Sequence, residues 1–234
     1  MEEGDTAITS EHTFSEYTFA TVLFGGTMKY APMRDGRFDL PGILQLIDSR
    51  TKIIFLCNPN NPTGTSFGEA EFRAFMKQVP SQVLVVSDEA YQEYAERPDF
   101  PKSMEYISRY PNLVVLRTFS KIYGLAGLRV GYAVGQKEVI ANFYKTKTPF
   151  NVNLIGQEAA LAALEDDEFV RKSFEMNRRG KEYLYKEFNR LGLRYYPSDA
   201  NFICVHVGRD SMEVFHTIMD LGVTIRPLRS FKMD

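Results

Sequence analysis

The residues best suited to chemistry gather in one stretch, Thr118-Phe119-Ser120-Lys121-Ile122-Tyr123-Gly124-Leu125-Ala126-Gly127-Leu128-Arg129, directly after the apolar run Leu113-Val114-Val115-Leu116. A lysine just past a strand end loses part of its hydration, which favours the neutral amine and makes it a nucleophile toward a carbonyl. The hydroxyls of Thr118 and Ser120 and the guanidinium of Arg129 suit a phosphate, the arginine through paired charge-assisted hydrogen bonds. Gly124 and Gly127 let the backbone pass close to a flat ligand. An aldehyde that carries a phosphate ester, as pyridoxal phosphate does, needs both a lysine for its Schiff base and an anchor for its phosphate. Taken alone, Thr-x-Ser-Lys is a common tetrapeptide, and an exposed loop lysine accounts for it more simply.

Two upstream segments change that balance. Lys52-Ile53-Ile54-Phe55-Leu56-Cys57 reads as a buried strand and runs into Asn58-Pro59-Asn60-Asn61-Pro62-Thr63-Gly64. Turn formation alone explains so many Asn, Pro and Gly residues. Their position matters, however, because open α/β sheets collect ligands at the carboxyl ends of their strands. Val83-Leu84-Val85-Val86-Ser87 delivers Asp88 to a strand end, with Tyr91 one turn further on. Such an aspartate can cap a helix. It can also pair with a cationic ring nitrogen, which keeps a pyridine protonated and makes the ring a better electron sink. Tyr91 is then positioned to donate a hydrogen bond to a ring oxygen. Near the C-terminus, Arg226 and Arg229 read either as solvated edge charges or as anion contacts.

The elements that must hold these residues alternate. Strands are expected at residues 6–9, 28–30, 52–57, 83–88, 113–116 and 129–134, and helices at 15–24, 39–47, 68–79 and 137–144. This alternation predicts an α/β fold, a largely parallel sheet with helices on both faces. Gly25-Gly26 ends the first helix, and Asp39 reads as the cap of the second. After residue 137 the character shifts to a linker at 148–153, helices at 154–164 and 168–191, and a small α+β unit. That unit is expected to hold a strand at 200–205, a helix at 211–221 and a strand at 223–225. The division that follows is a major domain over 1–150, and linker helices with a small C-terminal domain over 151–234.

Composition narrows the function classes. The 234 residues, 44% hydrophobic and 25% charged, suffice for a sizeable core in a soluble globular protein. A net charge of -2 without a basic run argues against a general nucleic-acid binder. Cys57 and Cys204 lie in apolar segments and read as small buried hydrophobes, and His12, His206 and His216 have no metal-ligand spacing. No apolar run is long enough to span a bilayer, and the acidic start Met-Glu-Glu-Gly-Asp is unlike a signal peptide, so a cytoplasmic location and no metal are expected.

With Asn61, Asp88, Tyr91, Lys121 and Arg129 in this order, the chain resembles the fold-type-I pyridoxal-phosphate aminotransferases, and within them the histidinol-phosphate aminotransferases. The resemblance rests on the Asn58-to-Gly64 segment, on Asp88-Glu89-Ala90-Tyr91, and on Arg117 through Lys121 and Gly127-Leu128-Arg129-Val130-Gly131. Thr13-Phe14-Ser15-Glu16-Tyr17 and Gly222-Val223-Thr224-Ile225-Arg226-Pro227-Leu228 support the narrower assignment. It implies that Lys121 joins the cofactor and then carries the proton between substrate and cofactor. It further implies that Asp88 holds the pyridinium nitrogen, that Asn61 and Tyr91 hydrogen-bond the phenolic oxygen, and that Thr118, Ser120 and Arg129 bind the phosphate. Phe14 stacks on the ring where relatives often carry Tyr, and Asn61 and Arg226 contact the substrate. The implied reaction is amino transfer between glutamate and imidazole-acetol phosphate in histidine biosynthesis, by a homodimer.

Members of that family also carry a segment ahead of the position matching Met1. It holds a first strand, a phosphate-binding loop and a tyrosine that reaches the neighbouring subunit's cofactor. They end on a further strand with an arginine for the substrate carboxylate. None of these is found here, so the major and small domains are both expected to be partial, with apolar surface exposed. Two other readings follow: a phosphothreonine decarboxylase-like enzyme, which shares the fold and most motifs, and a non-catalytic fragment that binds cofactor or partners.

Overall fold

Apolar runs that lack alternation can face water on neither side, and here they become the inner strands of a six-stranded sheet. The computed structural model describes residues 1–233. The sheet contains β1 (Thr6–Ser10), β2 (Thr27–Ala31), β3 (Thr51–Cys57), β4 (Leu84–Asp88), β5 (Leu113–Thr118) and β6 (Gly131–Gly135), in the order β2-β1-β3-β4-β5-β6. The β1–β2, β1–β3, β3–β4 and β4–β5 pairs are parallel, and β6 runs antiparallel to β5. Cys57 pairs with Asp88, Asp88 with Leu116, and Thr118 with Gly131. Parallel register therefore brings the ends of β3, β4 and β5 to one edge of the sheet. That edge collects the residues singled out for chemistry.

Helices α1 (Glu16–Leu23), α2 (Leu40–Gln45) and α3 (Glu69–Met76) connect the early strands. The core joins Ile8, Ile54, Leu56, Val85, Leu113 and Val115 of the sheet to Ile43, Phe72, Phe75 and Met76 of the helices. Fully burying one such side chain is worth about 1.5–3 kcal/mol. The outward side of α1 is different: Phe19, Val22 and Leu23 are each more than half exposed, as is Phe24 after it.

After β6 come α4 (Lys137–Thr146), α5 (Leu154–Leu164) and the long α6 (Asp167–Arg190). Side chains of Asn153 and Asp166 cap α5 and α6 by accepting from Gly156 N and Phe169 N. A two-stranded ribbon, β7 (Arg194–Tyr195) with β8 (Val205–His206), and α7 (Ser211–Asp220) complete the described residues.

Four local expectations need correction. β6 starts at Gly131, so Arg129 and Val130 stand before the strand. The strand expected over 200–205 shrinks to β8, because the chain before it is drawn across to the Asn58–Gly64 loop. There Asp199 N donates to Gly64 O at 2.8 Å, and Ala200 N donates to Ser198 Oγ at 3.0 Å. Residues 223–225 form no strand, since Val223 N closes the end of α7 by donating to Ile218 O and no ladder neighbour lies alongside. Asp39 does not cap α2, as its carboxylate is taken by Arg34 at 2.8 Å. Among the described residues, no helix is long and apolar enough to cross a membrane, and no group of His, Cys, Asp and Glu could hold a metal ion.

Candidate active site

Asp88 ends β4 at the centre of the collecting edge. Its Oδ2 accepts from the Tyr17 hydroxyl at 2.6 Å, and its Oδ1 from the Ala90 amide at 3.2 Å. The group keeps a little solvent contact, yet burial pushes its carboxyl above the usual range, against the opposing pull of Tyr17, Ala90 and the Lys121 charge. No lysine or arginine forms an ion pair with it among the described residues. A buried carboxylate held in place but lacking a counter-cation is a seat for a cationic group. A protonated pyridine nitrogen fits that seat.

Lys121 is half-buried, with Nζ 4.9 Å from the centroid of the Tyr91 ring. No hydrogen-bond acceptor or ion-pair partner holds Nζ among the described residues, so the amine is available to a ligand. Tyr91 is buried between this lysine and Phe202, whose ring meets it edge-on at 5.1 Å. Burial, with smaller contributions from Cys57, Asp88 and Tyr94, pushes the Tyr91 phenol well up, so it remains a hydrogen-bond donor through the physiological range.

The phosphate-type residues are already in mutual contact. Thr118 Oγ1 accepts from Ser120 N at 3.0 Å, and Arg129 Nη1 reaches Ser120 Oγ at 3.4 Å and Ala126 O at 2.7 Å. Arg129 itself lies in the left-handed region at φ 57°, uncommon for a residue with a side chain. Its guanidinium is exposed, next to two hydroxyls, which suits an anion arriving from solvent.

The Asn58–Gly64 loop divides its asparagines between structure and availability. Asn58 exchanges hydrogen bonds with the Phe67 backbone at 3.0 and 3.3 Å, and Asn60 accepts from Thr13 Oγ1 at 2.7 Å and donates to Thr63 Oγ1 at 2.9 Å. Asn61 is the loop asparagine left facing a cleft of about 1350 Å³. Gly64 adopts φ +75°, and a Cβ there would collide with the Ser198 hydroxyl, so glycine is required twice over.

That cleft brings together Phe14, Asn61, Tyr91 and Arg226, and Phe202 and Arg194 also line it. Lys121, Asp88, Thr118, Ser120 and Arg129 do not line it; Tyr91 is the wall shared between the lysine and the cleft. Arg226 is exposed and lines the cleft, with its guanidinium 5.5 Å from the Phe231 ring centroid. Sequence reasoning missed Tyr17, whose hydroxyl holds Asp88. The available signal was its place three residues after Phe14 on a helix that the parallel register carries to the same sheet edge.

A family model for aminotransferases of class I and II matches residues 1–234. The chain is 50% identical over 232 residues to the histidinol-phosphate aminotransferase of Moorella thermoacetica, covering 99% of this chain and 60% of that protein. It is 45% identical over 230 residues to that of Halalkalibacterium halodurans, covering 98% and 62% respectively. The crystal structure of histidinol-phosphate aminotransferase from Sinorhizobium meliloti in complex with pyridoxal-5'-phosphate superposes with a TM-score of 0.90 at 32% identity, over 97% of this chain and 62% of that one. The chain belongs to the class I and II aminotransferase family. It spans about three fifths of the length of the curated relatives it matches.

Proposed function

We propose that this chain carries the catalytic core of a pyridoxal-phosphate-dependent aminotransferase. Its amino donor and acceptor pairs are histidinol phosphate with imidazole-acetol phosphate and glutamate with 2-oxoglutarate. The observation that carries this reading is Asp88, a largely buried carboxylate in no ion pair among the described residues, near Lys121, whose amine sits against the Tyr91 ring with no acceptor. The identities of 50% and 45% to histidinol-phosphate aminotransferases support the choice of substrate.

Pyridoxal phosphate, when bound, supplies a carbonyl for the amine and a ring that accepts the electron pair left by the substrate Cα–H bond. Lys121 Nζ would be the amine that meets that carbonyl, and as a free base it would take and return the proton at substrate Cα. Asp88 keeps the ring nitrogen protonated. Asn61 and Tyr91 would be the donors for the ring's phenolic oxygen, Thr118, Ser120 and Arg129 would hold the phosphate, and Phe14 would be the aromatic residue against the ring. Arg226, with Asn61, holds the substrate, the guanidinium meeting its phosphate. The proposal also takes 1–150 as the cofactor-binding unit and 151–234 as linker helices and small domain, working as a homodimer in the cytoplasm.

The test is a pyridoxal-phosphate titration, borohydride reduction and peptide mapping, then assay with histidinol phosphate. The expected result is one reduced adduct, on Lys121, and consumption of 2-oxoglutarate. Label scattered over surface lysines overturns the cofactor site. Release of carbon dioxide from phosphothreonine, with no consumption of 2-oxoglutarate alongside histidinol phosphate, reassigns the chain to decarboxylation.

A further inference from the structure

Tyr17 is buried, at 5% exposure, and touches three parts of the candidate site at once. Its hydroxyl donates to Asp88 Oδ2 at 2.6 Å. Its ring stacks on Phe55 of β3, with centroids 4.8 Å apart and planes 6° apart. The same ring receives Phe14 edge-on, at 5.7 Å and 83°. One side chain on α1 therefore ties the strand that leads into the Asn58–Gly64 loop, the carboxylate at the end of β4, and the aromatic residue over the cleft.

The chemistry of that tie is specific. An ionised carboxylate offers about four lone-pair sites, of which Tyr17 and the Ala90 amide occupy two. The two donors fix the carboxylate plane and leave a lone pair on each oxygen. A tyrosine stabilises the ionised form without bringing a charge, whereas a lysine or arginine in its place would neutralise Asp88 and remove its need for a cationic ligand. A phenylalanine would leave the buried carboxylate with its backbone donor alone. Burial and the neighbouring Asp88 push the Tyr17 phenol well up, so it remains the donor.

We infer that Tyr17 is a positioning residue for the cofactor ring: its hydroxyl orients and ionises Asp88 for the ring nitrogen, while its ring packs against Phe14, which lines the adjacent cleft. This rests on the proposed role of Asp88. The groups facing Asp88 are Tyr17 from α1, Cys57 from β3, Tyr91 beyond β4 and Lys121 beyond β5. Tyr17 is the one whose side chain hydrogen-bonds it.

The experiment compares the full chain with Tyr17→Phe, Asp88→Asn and the double variant, by pyridoxal-phosphate titration and by the pH midpoint of the bound-cofactor absorbance. Tyr17→Phe keeps the ring contacts and is expected to weaken cofactor binding by about tenfold, as for loss of a hydrogen bond to a charged group. The absorbance midpoint should also move upward, because a ring with less positive charge lets the lysine-linked nitrogen keep its proton to higher pH. Added to Asp88→Asn, the same substitution should change affinity less than about twofold, since the carboxylate it serves is gone. A second variant, Phe55→Leu, removes the stack and keeps the hydroxyl, so thermal stability falls and the midpoint does not move. Equal losses with and without Asp88, or a midpoint that moves in Phe55→Leu as much as in Tyr17→Phe, would overturn the inference and leave Tyr17 a packing residue. Failure of the unsubstituted chain to bind the cofactor would overturn the site itself, a separate result visible before any variant is made.

Discussion

The sheet edge and the C-terminal unit hold their residues by different means. At the edge, Thr13, Asn58, Asn60, Thr63 and Thr65 are buried and bonded to one another or to backbone. Asp88 ends β4 and Lys121 follows closely on β5, two strands whose register is fixed by neighbours on both sides. Beyond residue 190 the ribbon is two residues per strand, and Val223 and Ile225 lie exposed. Among the contacts that tie that unit down are Asp199 N on Gly64 O, Glu96 N on Asp199 Oδ1, Lys181 on Ser198 O, and His12 Nδ1 with Phe231 O at 2.6 Å. The lesson is a division of labour. Reacting groups sit where packing is dense, and the arginine assigned to the substrate sits where few contacts resist movement.

The sharpest way to break this comparison is Lys121→Ala. It should lower turnover by at least about 10²–10⁴-fold and abolish the reduced adduct, read by steady-state assay and peptide mapping. An effect confined to substrate binding would place the chemistry elsewhere.

Arg226→Ala tests the other region. The KM for the phosphate-bearing substrate should rise about 10- to 100-fold, as expected for a lost charge-assisted hydrogen bond, with cofactor affinity unchanged. A change in cofactor affinity would mean that the two regions are not separable.

A smaller effect is expected from Lys181→Met, which strips the buried ammonium that joins α6 to Ser198 O at 2.7 Å and Glu96 at 2.8 Å. Loss of these partners should cost about 1–3 kcal/mol in urea unfolding. The signal should come first from probes in the C-terminal unit, ahead of probes in the sheet.

The smallest effect belongs to Asp48, whose hydrogen bond from Lys29 lowers its pKa from 3.8 to about 2. A depressed carboxyl contributes stability that is present above its ordinary value and lost as pH falls through the folded one. Asp48→Asn should therefore lower stability by a constant amount above pH 4 and flatten the profile between pH 4 and about 2, as read by thermal melts across that window.

Much of the sheet was legible because β3, β4 and β5 are apolar runs ended by polar residues, a pattern that identifies both the strand and its exit. Asp88 and Lys121 stood out for the same reason. Tyr17 did not, because its partner is 71 residues away and the pairing exists only once β3 and β4 lie in register. The seat of Ser198 and Asp199 on the Gly64 loop was equally hidden. Residues 200–205 have the composition of a strand, and tertiary hydrogen bonding overrode that preference. Arg226 was visible as a residue, while its place along the cleft depended on how the chain turns after α7.

Parallel strands also give the sheet a direction, and the edge opposite the site is free of it. β2, β3, β4 and β5 begin at Thr27, Thr51, Leu84 and Leu113, and the turn ahead of β4 exposes Ser81 and Gln82 to solvent. An epitope, a fluorophore or a surface tether inserted at Ser81-Gln82 would enter about 17 Å of strand away from Asp88, the length of five residues at the usual rise. The molecule thus provides its own handle, at the strand starts and away from Asp88.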